Sequence, residues 1–483
     1  MAEHVLQDAL QQLGALSPLL FDASQHLRTH LAAPPRIVIV GRVKSGKSTL
    51  LNALVGAPVA ETAALEATNV VTVYQHGAPD RAEAVLKSGS TVPVTTRRGA
   101  KAELPVPAAD VAYVNRWMPV GAIAQHTLID TPGLATLTTA NAAATEGALL
   151  DGFGGGFGSS FGGGLEDGFE QTRRASVDAD AAVFLFDTAP HQDEIDFLTR
   201  LGFGSFNTLG VLARADAFDD GALGVVDPLD AAAEHAKRLA AQLSQYVHTV
   251  VPVAGLLAET ALTGQVTEQF ARQVAALAPR SDESLVEAFL SGATADEALA
   301  GIVDKVGEYG LFRGRAEAAK GAVGFTEWLV ARSGLEELRL LIDGPLSHFA
   351  SLQRTARVIE KVERLAFEHP EHQREIRRLV SDVTAAPEMT DVALLLAQRT
   401  LLSAAPRSEV THEVTAMLAA SKPAQRVGLS ADASPWEILE AVRIKREWAQ
   451  NLSFGLLDPA EEHALLVVGR ALDQVERYAQ SLT

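Results

Sequence analysis

The chain is 483 residues long, which is more than a single core normally organises, so two or three domains are expected. It contains no cysteine, which excludes disulfides, thiolate chemistry and zinc sites with sulfur ligands. Its 60 acidic residues outnumber the 41 basic ones, and the net charge of −19 argues against nucleic acid as a partner and against unaided attraction to anionic lipid.

The N-terminal segment, residues 2–32, is predicted to form two helical stretches that end before Pro34. One apolar face is formed by four leucines at helical spacing, Leu6, Leu10, Leu13 and Leu16. The segment is acidic and lacks the basic region of a signal peptide, and no window of the chain approaches 18 uninterrupted apolar residues. We therefore expect neither a cleaved leader nor a membrane-spanning helix.

A phosphate-binding loop is predicted next. The apolar residues 36–40 predict a buried strand, residues 41–48 read GRVKSGKS, and residues 49–54 predict a helix. In this setting the loop N–H groups and the positive end of the helix dipole converge on a polyphosphate. Lys47 is expected to reach the β- and γ-phosphates, and the Ser48 hydroxyl is expected to hold Mg²⁺.

A second apolar strand, residues 125–130, runs into the sequence DTPG. Asp130 at the end of this strand is expected to hold Mg²⁺ through water, and the Gly133 N–H is placed to sense the γ-phosphate. This pattern behind a phosphate loop indicates a GTPase switch. The segment between the two motifs should supply a threonine that completes the Mg²⁺ coordination, and the candidates are Thr62, Thr68 and Thr72.

Residues 151–168 form a low-complexity insert rich in glycine, with phenylalanines at a spacing of four. The insert cannot bury enough apolar surface to offset the entropy of ordering its glycines, so a mobile loop is predicted. A passive loop is the first interpretation. A tether at a dimer interface, or one that dips into lipid, is the alternative.

Base recognition is expected from two later loops. A strand at residues 209–212 leads into ARAD, where GTPases usually carry N/T-K-x-D. Asp216 can accept hydrogen bonds from N1–H and the 2-amino group of guanine, which adenine lacks. Arg214 can lay its stem against the base. The alternative for Asp216 is a helix cap. The strand 249–253 ends in Ala254-Gly255, where a backbone amide is placed to contact the guanine oxygen.

The rest of the chain is predicted to be helical, with a break at residues 309–312. Two late helices, at about residues 434–456 and 459–482, begin with Ser434 or Asp458 followed by Pro and then Glu at the third helical position. They are long enough to form an antiparallel hairpin. The stripe predicted to be buried consists of Trp436, Leu439, Val442, Trp448 and Leu452.

The motifs GRVKSGKSTLLNALVG, EATNVVTVY, IDTPGLATL, VLARADAF and VVPVAGLLAE together resemble those of bacterial dynamin-like GTPases. The most similar group is the actinobacterial one that includes the isoniazid-inducible GTPases of mycobacteria, and the resemblance covers roughly residues 36–260. It implies that Thr68 is the switch threonine. It also implies GTP hydrolysis stimulated by self-assembly, and a helical region that couples hydrolysis to membrane work.

Two features depart from that family. Dynamins commonly carry glutamine and serine at the third and fourth loop positions, which here are Val43 and Lys44. Val43 cannot orient water, whereas Lys44 is hypothesised to place a fixed positive charge near the β–γ bridge; the alternative is a solvated lysine at the loop rim. The region after the GTPase motifs is also short for a full neck, trunk and tip, which argues against direct membrane remodelling.

The predicted fold class is α/β: a P-loop GTPase domain with a mixed, mostly parallel sheet, plus an α-helical bundle built from both chain ends. The predicted domains are residues 1–34, 35–345 and 346–483. The predicted function is Mg²⁺-dependent GTP hydrolysis by a dynamin-like protein that pairs with itself through its GTPase domains. Two alternatives stay open: a GTP-binding partner subunit of a membrane-bound dynamin-like protein, and a soluble regulatory switch.

The predicted cofactors are GTP and Mg²⁺, and no nucleic acid is expected. The predicted location is the cytoplasm, with peripheral contact at the inner face of the cell membrane left open. The predicted catalytic residues are Lys44, Lys47 and Thr68, and the predicted metal ligands are Ser48, Thr68 and Asp130. The predicted nucleotide-binding residues are Gly41, Arg42, Val43, Lys44, Ser45, Gly46, Lys47, Ser48, Thr49, Asp130, Gly133, Arg214, Asp216 and Ala254.

Overall fold

The computed structural model describes residues 2–42, 44–59, 70–95, 104–131, 179–290 and 297–482. The chain divides into two compact units, one formed by Met1–Ala33 with Ser351–Thr483 and the other by Pro34–Ala350. The three functional domains drawn from the sequence stay a prediction. The Gly-rich insert at residues 151–168 lies outside the described residues.

The larger unit is organised around one sheet, which has nine strands in the described part of the chain. The strands are β1 (Arg36–Gly41), β2 (Val71–His76), β3 (Arg81–Leu86), β4 (Thr91–Val94), β5 (Val111–Met118), β6 (Thr127–Asp130), β7 (Ala181–Phe186), β8 (Thr208–Ala213) and β9 (Val250–Val253). Their order is β4-β3-β5-β2-β6-β1-β7-β8-β9. The five neighbouring strands β6, β1, β7, β8 and β9 are parallel to one another. Strand β2 is antiparallel to β6, and β3 is antiparallel to both β4 and β5. The predicted mixed, mostly parallel sheet is confirmed.

The helices that surround the sheet and build the second unit follow in chain order. They are α1 (Ala2–Gly14), α2 (Pro18–Ala32), α3 (Lys47–Val55), α4 (Gln192–Arg200), α5 (Pro228–Gln242), α6 (Gly255–Leu262), α7 (Glu268–Ala275), α8 (Asp282–Leu290), α9 (Glu297–Ala318), α10 (Gly321–Arg332), α11 (Leu335–Leu341), α12 (Ser347–Glu368), α13 (Gln373–Ala385), α14 (Thr390–Ala404), α15 (Glu409–Ala419), α16 (Pro423–Arg426), α17 (Pro435–Ser453) and α18 (Pro459–Ser481). In the described ranges, none of these helices combines the length and apolar composition that a membrane span requires.

Both faces of the sheet are covered by helices, which explains the unbroken apolar sequence of β1. Ile37 and Ile39 lie in a core cluster with residues of α3, α6 and α11. Val38 and Val40 lie in a second cluster with residues of α4 and α5 on the other face. A parallel strand buried on both faces needs apolar side chains at every position, so it shows no alternation.

The helical unit contains both chain ends, as predicted. Leu6, Leu10 and Leu13 of α1 are buried, and they line a small apolar cavity together with residues of α12 and α13. Leu16 lies beyond the end of α1 and is half-buried. The predicted leucine face therefore holds α1 against the C-terminal helices through apolar contacts.

The buried stripe predicted for α17 holds for four of its five residues, which are buried or half-buried (Leu439, Val442, Trp448 and Leu452), and is wrong for Trp436. Trp436 is 73% exposed, whereas Ile438 and Val442 are buried. Leu439 and Trp448 are half-buried. Trp436 lies in the first turn of the helix, where its indole faces solvent. Helical periodicity alone cannot predict that an apolar residue at the end of a stripe has no neighbour to pack against.

The two predicted helix starts are confirmed as capping boxes. The Ser434 hydroxyl accepts a hydrogen bond from the Glu437 N–H, and the Glu437 carboxylate accepts one from the Ser434 N–H at 2.8 Å. The Asp458 carboxylate accepts from the Ala460 N–H at 2.8 Å, and Glu461 accepts from the Asp458 N–H at 2.9 Å. Each box satisfies amides that the first turn cannot pair internally.

We expect Asp458→Ala to destabilise the protein by about 1 kcal/mol, because it removes the acceptor for the first-turn amide of α18. Asp458→Asn is the matched control, since asparagine is an equally good cap, and it should cost only a few tenths of a kcal/mol. Urea unfolding followed by far-ultraviolet circular dichroism measures both. Equal losses for the two variants would show that the cap does not stabilise α18.

Candidate nucleotide site

The phosphate loop connects the end of β1 to the start of α3. A Cβ added at Gly41 would lie 2.6 Å from the carbonyl oxygen of Leu185 on the neighbouring strand β7, so only glycine fits there. Gly46 caps α3 with a left-handed φ of 93°, a conformation that glycine adopts at no steric cost. The two glycines of the motif therefore shape the loop for different reasons, close approach at Gly41 and backbone conformation at Gly46.

Lys47 is buried at the centre of the loop. Its Nζ donates hydrogen bonds to the carbonyl oxygens of Gly41 at 2.9 Å and Arg42 at 2.8 Å. Burial lowers the pKa of Lys47, and the nearby Asp130 carboxylate raises it. The loop thus holds a cationic side chain in the place where the motif requires a charge for phosphate.

The three hydroxyl side chains of the loop differ in their surroundings. Ser48 and Thr49 lie in the first turn of α3 and are half-buried. Ser45 is buried, and its Oγ has no hydrogen-bond partner in the described part of the chain. A buried hydroxyl beside the phosphate loop without a protein partner is consistent with a polar ligand at this site.

Asp130 ends β6, directly beside the loop. In the parallel pair of β1 and β6, Asp130 is in register with Ile39, and the Thr131 hydroxyl donates to the Ile39 carbonyl oxygen at 2.9 Å. Burial raises the pKa of Asp130 to about 6, while the positive charge of Lys47 lowers it. Asp130 at the carboxyl end of β6 and Lys47 at the start of α3 are therefore near enough for each charge to shift the pKa of the other.

Only some of the predicted switch residues lie among the residues that the structure describes. Of the candidate threonines, Thr72 lies on β2 in register with Asp130, whereas Thr62 and Thr68 lie outside the described residues. Gly133 and Val43 also lie outside them. The assignment of Thr68 and Gly133 to the site stays a prediction.

Arg42 makes an ion pair that its sequence position did not signal. Its Nη2 lies 3.2 Å from a carboxylate oxygen of Asp193, and its Nε lies 3.4 Å from Oε1 of the buried Glu194. Glu194 also accepts from the His191 N–H at 2.8 Å. The second residue of the phosphate loop is therefore tied to the N-terminus of α4.

Lys44 and Arg214 connect the phosphate loop to the ARAD loop. Arg214 Nη2 donates to the Lys44 carbonyl oxygen at 2.7 Å, and both residues have a left-handed φ, 65° at Lys44 and 55° at Arg214. Both residues are exposed. The Lys44 backbone therefore has a structural contact, while the catalytic role of its side chain stays a prediction.

Asp216 follows β8 in a short 3-10 turn, and it is half-buried. Burial raises the pKa of its carboxyl group, and the Arg214 guanidinium lowers it. The next helix, α5, is capped by Asp227, whose Oδ1 accepts from the Leu229 N–H at 3.0 Å. The alternative interpretation of Asp216 as the cap of that helix therefore finds no support in this geometry.

The Ala254 amide is engaged within the protein, since it donates to the Ser333 carbonyl oxygen at 2.9 Å. A contact with the guanine oxygen would therefore have to come from the amides that begin α6, which an α-helix leaves without internal partners. Gly255, the first residue of α6, lies against the phosphate helix: a Cβ there would be 3.4 Å from Thr49 Cγ2. The two ligand-binding segments thus pack directly on each other.

A buried polar pair beneath these loops had no sequence signal. Asn52 of α3 donates from Nδ2 to Glu259 Oε1 of α6 at 2.8 Å, and its Oδ1 accepts from the Val59 N–H at 2.8 Å. Burial raises the pKa of Glu259, and the hydrogen bond from Asn52 lowers it. This pair joins the helix behind the phosphate loop to the helix behind the base loop.

Comparisons with known proteins agree with this geometry. Residues 36–203 match the family model described as 50S ribosome-binding GTPase. The larger unit contains a P-loop GTPase domain. The chain is 28% identical over 484 residues to the isoniazid-induced protein IniC of Mycobacterium tuberculosis, covering 94% of this chain and 92% of IniC. It is 34% identical over 130 residues to IniA of the same species, covering 24% of this chain and 19% of IniA.

The resemblance to the mycobacterial isoniazid-induced proteins is therefore confirmed, and with IniC it extends through the helical regions at both chain ends. A solved oligomerised bacterial dynamin pair, described as sensing and tethering membranes, aligns with 100% of this chain and 74% of its own at 13% identity. The TM-score of that alignment is 0.34, too low to support any inference about this chain.

Glu259→Gln tests the buried pair. Because burial raises the pKa of Glu259 above its ordinary value of 4.5, the charged form costs stability above the folded-state pKa, and this cost disappears as the pH falls. The glutamine variant, which keeps an acceptor for Asn52 and carries no charge, should be more stable than the native protein at pH 7.5. The difference should shrink towards pH 5.

Glu337→Gln, at an exposed position of α11, is the control and should change stability little at either pH. Thermal unfolding of the three proteins at several pH values measures the effect. A glutamine variant that is less stable than the native protein at pH 7.5 would contradict the assigned cost of the buried charge.

Proposed function

We propose that this protein binds GTP with Mg²⁺ and hydrolyses it, and that hydrolysis accelerates when two copies pair through their GTPase domains. The observation that carries the proposal is the convergence of four segments at one edge of the sheet. The parallel strands β1, β6, β8 and β9 end there with the phosphate loop, Asp130, the ARAD loop and the start of α6. In open α/β sheets, ligands bind at the carboxyl ends of the strands.

The phosphate end of the ligand would be held by the loop amides, the N-terminus of α3 and the Lys47 ammonium. Lys47 would exchange its bonds to the loop carbonyls for bonds to phosphate oxygens, and so neutralise their charge. Ser48 and Thr68, with Asp130 through water, would hold Mg²⁺. A bound Mg²⁺ supplies charge neutralisation and polarises phosphate oxygens. The Lys47 ammonium and the Asp130 carboxylate, each of which shifts the pKa of the other, fit this donor set.

The base would be read by Asp216. Its carboxylate would accept hydrogen bonds from N1–H and the 2-amino group of guanine, and the Arg214 stem would lie against the ring. Because Arg214 is bonded to the backbone of Lys44, base and phosphate recognition are coupled through one contact at 2.7 Å. Ala254 would lie beside the base because it directly precedes α6. A neighbouring amide at the start of α6 would make the hydrogen bond to the guanine oxygen.

We further propose that orientation of the attacking water depends on self-association. The third loop residue, Val43, has an apolar side chain that cannot orient water. Backbone groups of the switches would have to do so, and pairing of GTPase domains would fix them. Lys44 would add a positive charge near the β–γ bridge. We also propose that the protein acts in the cytoplasm, at or near the inner face of the cell membrane, as the resemblance of its motifs to dynamin-like GTPases implies.

Asp216 variants test the base assignment. Asp216→Ala should weaken GTP binding by about 100-fold or more, because the base donors lose their acceptor. Asp216→Asn should shift preference from GTP to XTP, since xanthine presents a carbonyl where guanine carries the 2-amino group. Competition against a fluorescent GTP analogue gives the affinities, with Lys47→Ala as a control that weakens all triphosphates alike. Equal competition by ATP and GTP in the native protein would refute guanine recognition.

Turnover as a function of protein concentration tests self-activation. Specific activity should rise at least about tenfold from the submicromolar to the tens-of-micromolar range, since completing the charge contacts of phosphoryl transfer is worth more than that. Liposomes are added in a parallel series to test membrane action. Lys44→Ala should lower the activated rate while leaving GTP affinity unchanged within about twofold.

Flat, near-zero turnover with intact GTP binding would contradict the catalytic proposal. A protein that then pelleted only with membranes carrying another dynamin-like protein would be a partner subunit. One that bound neither liposomes nor such a partner would be a soluble switch. Unchanged turnover in Lys44→Ala would remove Lys44 from the catalytic residues.

A further inference from the structure

The helix α9 is interrupted at Gly307. This residue has φ 63° and ψ −178°, so two helical stretches meet there at a kink. The sequence predicted the break at residues 309–312, but Tyr309 and Leu311 are helical and buried. A positive φ combined with ψ near 180° is a backbone conformation that essentially only glycine adopts, so any other residue there would be strained.

The kink lies between the two segments assigned to base recognition. A Cβ added at Gly307 would lie 3.2 Å from Asp216 Oδ2 and 3.8 Å from Leu256 Cδ2, in the first turn of α6. The first separation is closer than ordinary van der Waals contact, so the absence of a side chain allows the α9 backbone to approach the Asp216 carboxylate. A side chain at position 307 would therefore require the Asp216 carboxylate to shift by a few tenths of an ångström.

The approach to the kink is fixed from the N-terminal side by Thr260. Thr260 of α6 is fully buried, and its hydroxyl donates a hydrogen bond to the Lys305 carbonyl oxygen, two residues before Gly307. The helix that begins at the base loop therefore holds the backbone that leads into the kink.

The kink is also fixed from its C-terminal side. Arg313 donates to the carbonyl oxygens of Ala222 at 3.0 Å and Gly224 at 3.1 Å, in the loop that follows Asp216. The Tyr309 hydroxyl donates to Asp227 at 3.0 Å, at the start of α5. Contacts on both sides of Gly307 thus fix the kink relative to the ARAD loop.

We propose that Gly307 is a specificity-determining residue, whose bare backbone sets the position of the Asp216 carboxylate so that it faces both N1–H and the 2-amino group of guanine. The proposal rests on the proposed role of Asp216. A methyl group at position 307 would displace Oδ2, and hydrogen bonds weaken steeply when their geometry is distorted. The contact to the 2-amino group is the one that separates guanine from hypoxanthine, which lacks that group.

The test compares GTP with ITP, because the two ligands share their triphosphate and differ only in the 2-amino group. Gly307→Ala should weaken GTP binding by about tenfold, equal to one lost contact of about 1.4 kcal/mol, and weaken ITP binding less. The ratio of the two affinities should therefore fall towards one. Isothermal titration of the full-length protein measures both ligands, and a melting curve reports whether the variant is folded.

Gly264→Ala is the matched control for backbone strain. Gly264 also has a left-handed φ, 77°, but a Cβ there would meet nothing within 4 Å. This variant should lose stability through backbone strain and keep the native ratio of GTP to ITP affinity. An altered ratio in Gly264→Ala of the same size would show that strain alone moves the site and would overturn the proposal.

Failures of the two proposals have different signatures. If Asp216→Ala leaves the preference for GTP over ITP intact, the base-reading role of Asp216 is wrong. If Asp216→Ala abolishes the preference while Gly307→Ala keeps it, Gly307 is not a specificity determinant.

Should Gly307→Ala fail to fold, Thr260→Val decides the question, because it removes the bond to Lys305 with little change in side-chain volume. It should reduce the ratio about threefold, a loss within the range of one neutral hydrogen bond. An unchanged ratio in a folded Thr260→Val protein would then overturn the proposal.

Discussion

The buried ammonium of Lys47 is the interaction around which the nucleotide site is arranged. A charge taken out of water is costly unless polar groups surround it. The Lys47 ammonium donates to the carbonyl oxygens of Gly41 and Arg42, and the Asp130 carboxylate acts on it from farther away and raises its pKa. These groups lie at the ends of two adjacent parallel strands, β1 and β6. The order of the strands in the sheet therefore brings them together around the Lys47 ammonium. The third neighbouring strand, β7, packs closely against the loop, because Gly41 has no side chain to separate it from the Leu185 carbonyl oxygen.

Around this centre, the loops that face the ligand are connected by polar contacts rather than by apolar packing alone. Arg42 joins the phosphate loop to α4, Arg214 joins it to the ARAD loop, and Asn52 joins α3 to Glu259 of α6. Buried and partly buried hydrogen bonds constrain geometry more tightly than apolar contact does, because their strength depends on angle as well as distance. Of these contacts, only the Asn52–Glu259 hydrogen bond is fully buried, while the Arg214 bond to the Lys44 carbonyl oxygen lies at the exposed rim of the site.

Local patterns succeeded where the physics is local. The capping boxes at Ser434 and Asp458 depend on residues three positions apart, and both form as predicted. The apolar run of β1 and the leucine face of α1 also hold. The errors fall where neighbours in space decide: Trp436 is exposed, the break in α9 lies at Gly307, and Ser333 engages the Ala254 amide. These three features are determined by residues far away in the sequence, so local patterns of apolar residues do not predict them.

The sequence by itself determined the class of the fold and the identity of the chemical groups, since a strand, a glycine loop and a helix in series specify a phosphate site whatever surrounds them. It also placed Asp130 and Asp216 at strand ends, where a parallel sheet must bring them to one edge. Only the tertiary structure decided which residues position those groups. Glu194, Glu259 and Gly307 act through contacts between distant parts of the chain, and such contacts leave no periodic or motif signal in the sequence.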